Sequence, residues 1–238
     1  MPPTAYMYGL PYSYYKKYGI RKYGFHGTSH RFVSAETARI LKRPLKRLKL
    51  ITCHLGNGCS MAAVDGGRSV DTTMGFTPLE GLLMGTRSGD LDPAAVLYIV
   101  EKENVPLGKV NDILNKESGL LGVSGVSNDM RDILKGARAG IRGTNSGGAG
   151  ARRCALALEM FVYRIKKYIG AYLAAMGGLD AVVFTAGVGE NNPWLVKRIA
   201  RELKNVVSKK TKFLVVPTDE ELLIARDTVE IIRRNSNA

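Results

Sequence analysis

The sequence predicts an α/β domain with a mixed sheet flanked by helices, and three observations carry that reading. Short apolar runs bounded by glycine or aspartate (Leu48–His54, Cys59–Val64, Ala181–Thr185) alternate with longer stretches whose apolar residues recur at helical spacing. Asp65-Gly66-Gly67 joins two of the runs as a hairpin, because glycine supplies the positive φ that such turns require. The third observation is a strand, a glycine-rich turn and a helix start in succession over Ala181–Pro193, an arrangement suited to holding phosphate.

Composition bounds the function classes. With 238 residues, 45% hydrophobic and 24% charged, a sizeable core is expected. No window reaches the roughly 18 apolar residues that span a bilayer, and the N-terminus lacks signal-peptide character, so a cytoplasmic location without membrane association is expected. Cys53, Cys59 and Cys154 have no CxxC spacing and read as reduced core thiols. The net charge of +14 is the one outlier and is open to three readings, a nucleic-acid surface, an anionic small substrate or a chain missing an acidic half. The basic run from Lys42 to Lys49 lacks interleaved aromatics, which argues against nucleic acid as the partner.

Along the chain, residues 1–25 hold seven tyrosines among prolines and glycines and read as an irregular packed segment. A helix is expected over Ser29–Lys42, ended by Pro44, and a small antiparallel unit over residues 48–72. Asp92 and Pro93 open a helix to Asn104 as cap and first residue. Shorter helices are expected at Lys109–Ser118 and Asn128–Lys135, and a mobile glycine-rich loop at Gly136–Gly150. The longest helix should run from Ala151 to Met176 and end at Gly177-Gly178, since Leu158, Phe161, Val162, Ile165, Ile169, Tyr172, Leu173 and Met176 keep a 3.6-residue period. After the glycine turn at Ala186–Asn192, Pro193 opens a helix, Lys212–Pro217 reads as a strand, and Thr218 with Glu221 has capping-box spacing for the last helix.

Four places carry candidate chemistry. In MGFTPLEGLLMGTRSGDLDP, Arg87 sits between Gly85 and Gly89, where the backbone can approach a ligand and a guanidinium can fork phosphate oxygens. His26 and His30 stand four residues apart, but no third metal ligand follows at a characteristic spacing, and Gly27 places His26 ahead of the helix. A phosphate-donor role and a buried structural role are both open for these histidines. His54-Leu55-Gly56-Asn57-Gly58 ends a strand over two glycines and adds a histidine and an asparagine as donors. Glu220 could serve a magnesium ion, although acids in the first turn of a helix are favoured by its dipole alone. Neither a P-loop nor a GxGxxG fingerprint is present.

YGFHGTSH, HLGNG, MGFTPLEGLLMGTRSGDLDP, SGVSNDMRDI, FTAGVGEN and PTDEELLIARDT, in this order, resemble the acetate kinase family. That family is part of the sugar kinase and actin-like ATPase superfamily with ribonuclease-H-like domains. The resemblance implies reversible ATP-dependent phosphorylation of acetate to acetyl phosphate and ADP, with Mg2+; a butyrate or propionate kinase is the nearest alternative. It implies that His26 and Arg87 stabilise the transition state and that Glu220 is a magnesium-associated carboxylate. Nucleotide positions are implied at His54, Leu55, Gly56, Asn57 and Gly58, at Asp129, Met130 and Arg131, and at Gly187, Val188, Gly189, Glu190 and Asn191.

It further implies that residues 1–220 are the C-terminal nucleotide-binding domain, and that 221–238 form a helix which packs on the family's first domain and is poorly anchored without it. The family's catalytic aspartate, substrate-binding arginine and N-terminal phosphate loop precede the first residue here. A homodimer and a separate N-terminal chain are the protein partners to consider. Negligible transfer by these 238 residues alone is expected, because phosphoryl transfer depends mostly on positioning and electrostatics. A non-catalytic nucleotide-binding half is the corresponding alternative.

Overall fold

The computed structural model describes residues 1–141 and 148–236. Five strands form one mixed sheet in the order β3-β2-β1-β4-β5. β1 (Lys49–Leu55), β2 (Cys59–Asp65) and β3 (Arg68–Thr72) form an antiparallel meander, while β4 (Ala181–Thr185) and β5 (Lys212–Val215) extend it with parallel pairing. The antiparallel unit expected at residues 48–72 is therefore half of a larger sheet. Its open side is β1, where β4 pairs from Leu50↔Ala181 to His54↔Thr185.

Each central strand is buried on both faces, and alternation assigns its side chains. Ile51, Cys53 and Leu55 of β1, Met61 of β2 and Val182 and Phe184 of β4 join the larger core. Leu50, Ala62, Val64, Ala181 and Val183 join a smaller core on the opposite face. The larger core is covered by the long helix α8 (Ala149–Met176), whose buried Leu158, Phe161, Val162, Ile165, Ile169, Tyr172 and Met176 keep the predicted period, and by α10 (Pro193–Glu202). Gly177, in the left-handed conformation, ends α8 as expected. The smaller core is covered by α3 (Gly27–Leu41) and α11 (Glu220–Ser236). All three cysteines are buried free thiols.

Four expectations are corrected. The tyrosine-rich start forms two short helices, α1 (Pro3–Tyr6) and α2 (Tyr12–Tyr18), the second ended by left-handed Gly19. Its rings pack on one another and on Arg21, which lies 4.7 Å from the Tyr6 and Tyr23 ring centres. The helix at Asp92–Asn104 appears as α4 (Pro93–Glu103), with Asp92 accepting from the Ala94 amide, and is followed by α5 (Leu107–Asp112), a π turn at Ile113–Glu117 and α6 (Gly119–Ser124).

Residues 136–141 belong to α7 (Met130–Ile141) and 149–150 to α8, so the expected mobile loop is helical at both ends; residues 142–147 lie outside the described ones. Packing overrides glycine there: Met130, Ile133 and Ala137 are buried, and a Cβ on Gly136 would come within 2.7 Å of Cys154 Sγ. The residues read as a glycine turn at Ala186–Asn192 form α9 (Ala186–Asn191), because the Glu190 carboxylate takes the Ala186 amide at 2.8 Å and closes a helical turn. Finally, α11 is capped by Asp219, which accepts from the Leu222 amide at 2.9 Å, and the hydroxyl of Thr218 has no hydrogen-bond partner among the described residues.

The last helix is anchored over its first part. Leu223 enters the smaller core, and Asp227 pairs in a two-bonded fork with Arg31 of α3 at 2.6 and 2.7 Å. Beyond Asp227, Val229 and Ile231 are exposed. Hydrogen exchange should accordingly protect amides up to Asp227 more than those after it, and uniform protection along the helix would contradict this packing. In the larger core, Ile165→Ala should cost about 2–5 kcal/mol of unfolding free energy in a denaturant titration, with little change in slope.

Candidate functional site

The site is built at one end of the sheet. β1 and β2 are antiparallel with His54 opposite Ser60 and Thr52 opposite Ala62, so Thr52, His54 and Ser60 share the face covered by α3. At this end that face is polar, and α3 answers with Ser29 and His30. The buried ring of His30 bonds Thr52 Oγ1 through Nδ1 at 2.8 Å and Ser60 Oγ through Nε2 at 2.8 Å. Ser60 Oγ also meets His26 Nδ1 at 2.9 Å, and Ser29 Oγ meets His54 Nδ1 at 2.9 Å. The His26 and His54 rings stack with centres 4.1 Å apart. His26 precedes α3 with φ 59°, a left-handed conformation uncommon for a residue with a side chain.

All three imidazoles are held neutral. Burial lowers His30 to about 3 and His54 to about 4, and burial followed by the charge of Arg87 lowers His26.

Arg87 reaches this cluster at Gly58. A Cβ on Gly58 would lie 3.3 Å from Arg87 Nη1 and 3.7 Å from His26 Cε1, so both side chains lie close against this glycine. The loop bearing Arg87 is pinned on both flanks. Gly81 and Asp90 close its base, and the Leu120 and Leu121 amides donate to the carbonyls of Met84 and Gly85. Gly85 donates to the Asn57 carbonyl at 3.0 Å, at a distance where any Cβ would strike the Asn57 side chain. Among the described contacts, half-buried Arg87 has no carboxylate partner; its guanidinium makes only long contacts to the Pro78 carbonyl (3.4 Å) and Met84 Sδ (3.9 Å).

Beside the cluster opens a cleft of about 590 Å3. It brings together three segments that the resemblance singles out: Gly56 and Asn57 after β1, Asp129 to Arg131 at the start of α7, and Gly187, Val188 and Asn191 in α9. Leu120, Met130, Phe161 and Val188 make part of the lining apolar, and Asn57, Asn128, Asp129, Arg131, Asn191 and Asn192 bring polar groups, the usual make-up of a small-molecule site. Arg131 folds onto Asp129, holding that carboxyl down at about 2.

Other expected residues lie elsewhere. Leu55 and Gly189 are buried behind the cleft, Leu55 in the larger core. Glu190 turns inward and its Oε1 receives the Ala186 amide, the Thr185 hydroxyl and the Thr218 amide at 2.8–3.3 Å. Glu220 is outside the cleft lining, in the first turn of α11, and among the described residues no group of three or more His, Cys, Asp or Glu is gathered for a metal ion.

Sequence reasoning missed Thr52, Ser60, Ser29, Asn128 and Phe161. For the first two a signal was present: Thr52 and His54 two positions apart near the end of β1, and a serine at the head of β2, mark a strand face that is not purely core.

A family model described as the acetokinase family matches residues 1–208. The acetate kinase of Caldicellulosiruptor saccharolyticus is 52% identical over 98% of this chain and 62% of its own length, and that of Carboxydothermus hydrogenoformans 53% over 98% and 61%. Among solved structures, Porphyromonas gingivalis acetate kinase superposes with a TM-score of 0.90 at 43% identity, covering 98% of this chain and 61% of the other. A propionate kinase from Francisella tularensis gives 0.83 at 40%, covering 94% and 60%. The chain thus spans about 62% of the length of the curated relatives it matches.

The neutral histidines predict acid sensitivity. His30 is lowered from 6.5 to about 3 on folding, so below about pH 6.5 the unfolded chain takes up a proton that the folded one refuses. Stability should therefore be full above that pH and fall as pH drops, by roughly 3 kcal/mol near pH 4 from this group. Unfolding titrations across this range should show a shallower slope for His30→Gln; an unchanged slope would remove His30 as the cause.

Proposed function

The chain belongs to the acetokinase family and has the actin-like ATPase fold, and from that premise we propose that its cleft binds ATP and ADP for transfer of the γ-phosphoryl group to acetate. One observation carries this reading. Among the described contacts, a half-buried arginine without a carboxylate partner stands close to His26 at Gly58, next to the Gly56 and Asn57 that line a cleft sized for a nucleotide. A cation removed from water in this way calls for an anion.

In the proposed arrangement the apolar part of the lining takes the base. The Gly56–Gly58 turn lets main-chain N–H groups approach the phosphates without side chains in the way. Arg87 then faces the phosphoryl group in flight, with guanidinium donors free to neutralise the charge that spreads over its oxygens, and His26 supplies a second contact beside it at Gly58. His54, stacked on His26, fixes that ring's plane. Asp129 and Arg131 form a rim whose mutual pair can open toward the ligand.

Mg2+ is proposed as the companion ion. Such a cation keeps most of its waters and is held mainly by nucleotide phosphates, and Glu220 is proposed, on the family resemblance, as the carboxylate that serves it. The ion would offset phosphate charge when bound. Acetate is the proposed acceptor over propionate, on the names of the relatives at 52–53% identity. A homodimer, and the remaining length of the relatives as the source of further substrate contacts, are proposed as the protein partners.

Calorimetric titration with MgATP tests the reading: the chain should bind with one site, and Arg87→Ala should weaken binding about tenfold or more while leaving the thermal midpoint within a few degrees. Equal affinity in parent and variant would remove Arg87 from the phosphate site. Absence of binding in the parent would refute the nucleotide cleft itself.

A further inference from the structure

The polar seam beneath the site has a direction that its protons must obey. Thr52 Oγ1 carries one proton and has two neighbours, the Ala62 carbonyl at 3.5 Å and His30 Nδ1 at 2.8 Å. A carbonyl oxygen can only accept, so when Thr52 donates to Ala62, His30 must donate to Thr52 from Nδ1. His30 Nε2 is then bare and accepts the single proton of Ser60. With that proton committed, Ser60 Oγ can only accept from His26, which must carry its proton on Nδ1. The reverse polarity satisfies the three inner bonds but leaves the Thr52–Ala62 contact unused. Thr52 and Ser60 have no exposure to water, so the seam is deprived of the solvent that would otherwise supply alternatives.

We propose that the buried chain Thr52–His30–Ser60 is a positioning device that sets the tautomer of His26, keeping its proton on Nδ1 and presenting Nε2 toward Gly58 and the arginine as a bare lone pair. This deepens the reading of His26 as a phosphoryl-facing residue and rests on it. A neutral His26 in this form accepts beside the Arg87 guanidinium in the empty site; it makes the phosphoryl contact proposed above only when Nε2 takes a proton from solvent as the anion binds. Thr52, His30 and Ser60 are positioning residues that touch neither nucleotide nor acceptor. Such outer partners fix which ring nitrogen is available, as they do for histidines in general.

The test is the imidazole 15N spectrum of the ligand-free 238-residue chain labelled at histidine, recorded near pH 8, where the three rings are neutral, with His26 assigned through His26→Gln. In the parent, His26 should show a protonated Nδ1 and an unprotonated Nε2. Thr52→Val strips the acceptor from His30 Nδ1; His30 should then switch to Nε2–H, Ser60 should turn its proton to His26 Nδ1, and His26 should appear as the Nε2–H form. That response crosses two residues from a side chain that does not contact His26, so loss of packing alone would not produce it. Ser60→Ala, which removes the acceptor directly, should give the same shift.

A parent spectrum with His26 protonated on Nε2 overturns the proposal, and so does an unmoved tautomer in a folded Thr52→Val or Ser60→Ala chain. If neither variant folds, the parent spectrum decides the question alone. Failure of ATP to bind would sink the nucleotide reading while leaving the tautomer result standing, so the two are separable.

Discussion

Everything at this site depends on one constraint: a sheet buried on both faces must satisfy any polar group it places there. Over most of its area the sheet meets that demand with Val, Ile, Leu, Ala and Phe. At the end where β1 turns into β2, one face instead carries Thr52, His54 and Ser60, and α3 covers it. Leaving such groups unpaired would cost about 1–3 kcal/mol each. Ser29 and His30 on the first turns of α3 pair with them, and by doing so they dock the helix start against the strand ends. The left-handed turn at His26 follows, because the chain must enter a helix whose first turn is already fixed.

The cleft is a consequence of the same docking together with a second one. The Arg87 loop cannot hold its shape by hydrophobic burial alone, and it is instead closed across its base and laced to α6 by main-chain hydrogen bonds. With the loop rigid, Arg87 is carried to Gly58, and two groups distant in sequence, Arg87 and His26, come close together at a glycine. Because the guanidinium is held with few partners of its own, the site is electrostatically incomplete without a ligand. Three imidazoles kept neutral by burial complement this: none competes with the incoming anion for Arg87, and none adds charge that would open the seam.

Much of the architecture was legible because the periodicities are unambiguous. The long helix declared itself by eight apolar residues at 3.6 spacing, and the β2–β3 hairpin by Asp65-Gly66-Gly67. Two glycine-rich segments were misread as loops, at 136–141 and at 186–191, since intrinsic propensity counts glycine against a helix while the fold uses it for close contact, as Gly136 does against Cys154. In the site, His26, Arg87, Gly56 and Asn57 stood out as types in glycine-rich contexts. Ser60 and Thr52 did not, because a hydroxyl in a strand is as common on a surface as in a polar seam.

By itself, then, the sequence determined most of the element types, the mixed sheet flanked by helices and the set of groups able to meet a phosphate, since all of these are properties of local pattern and side-chain chemistry. Only the tertiary structure decided which of those groups meet. The register of β1 against β2 puts His54 opposite Ser60, the parallel pairing of β1 with β4 brings α9 to the Gly56 turn, and α3 places His30 between Thr52 and Ser60. Those contacts join residues up to more than a hundred positions apart, and no local pattern encodes them, because they follow from how strands choose partners and how helices settle on the faces that result.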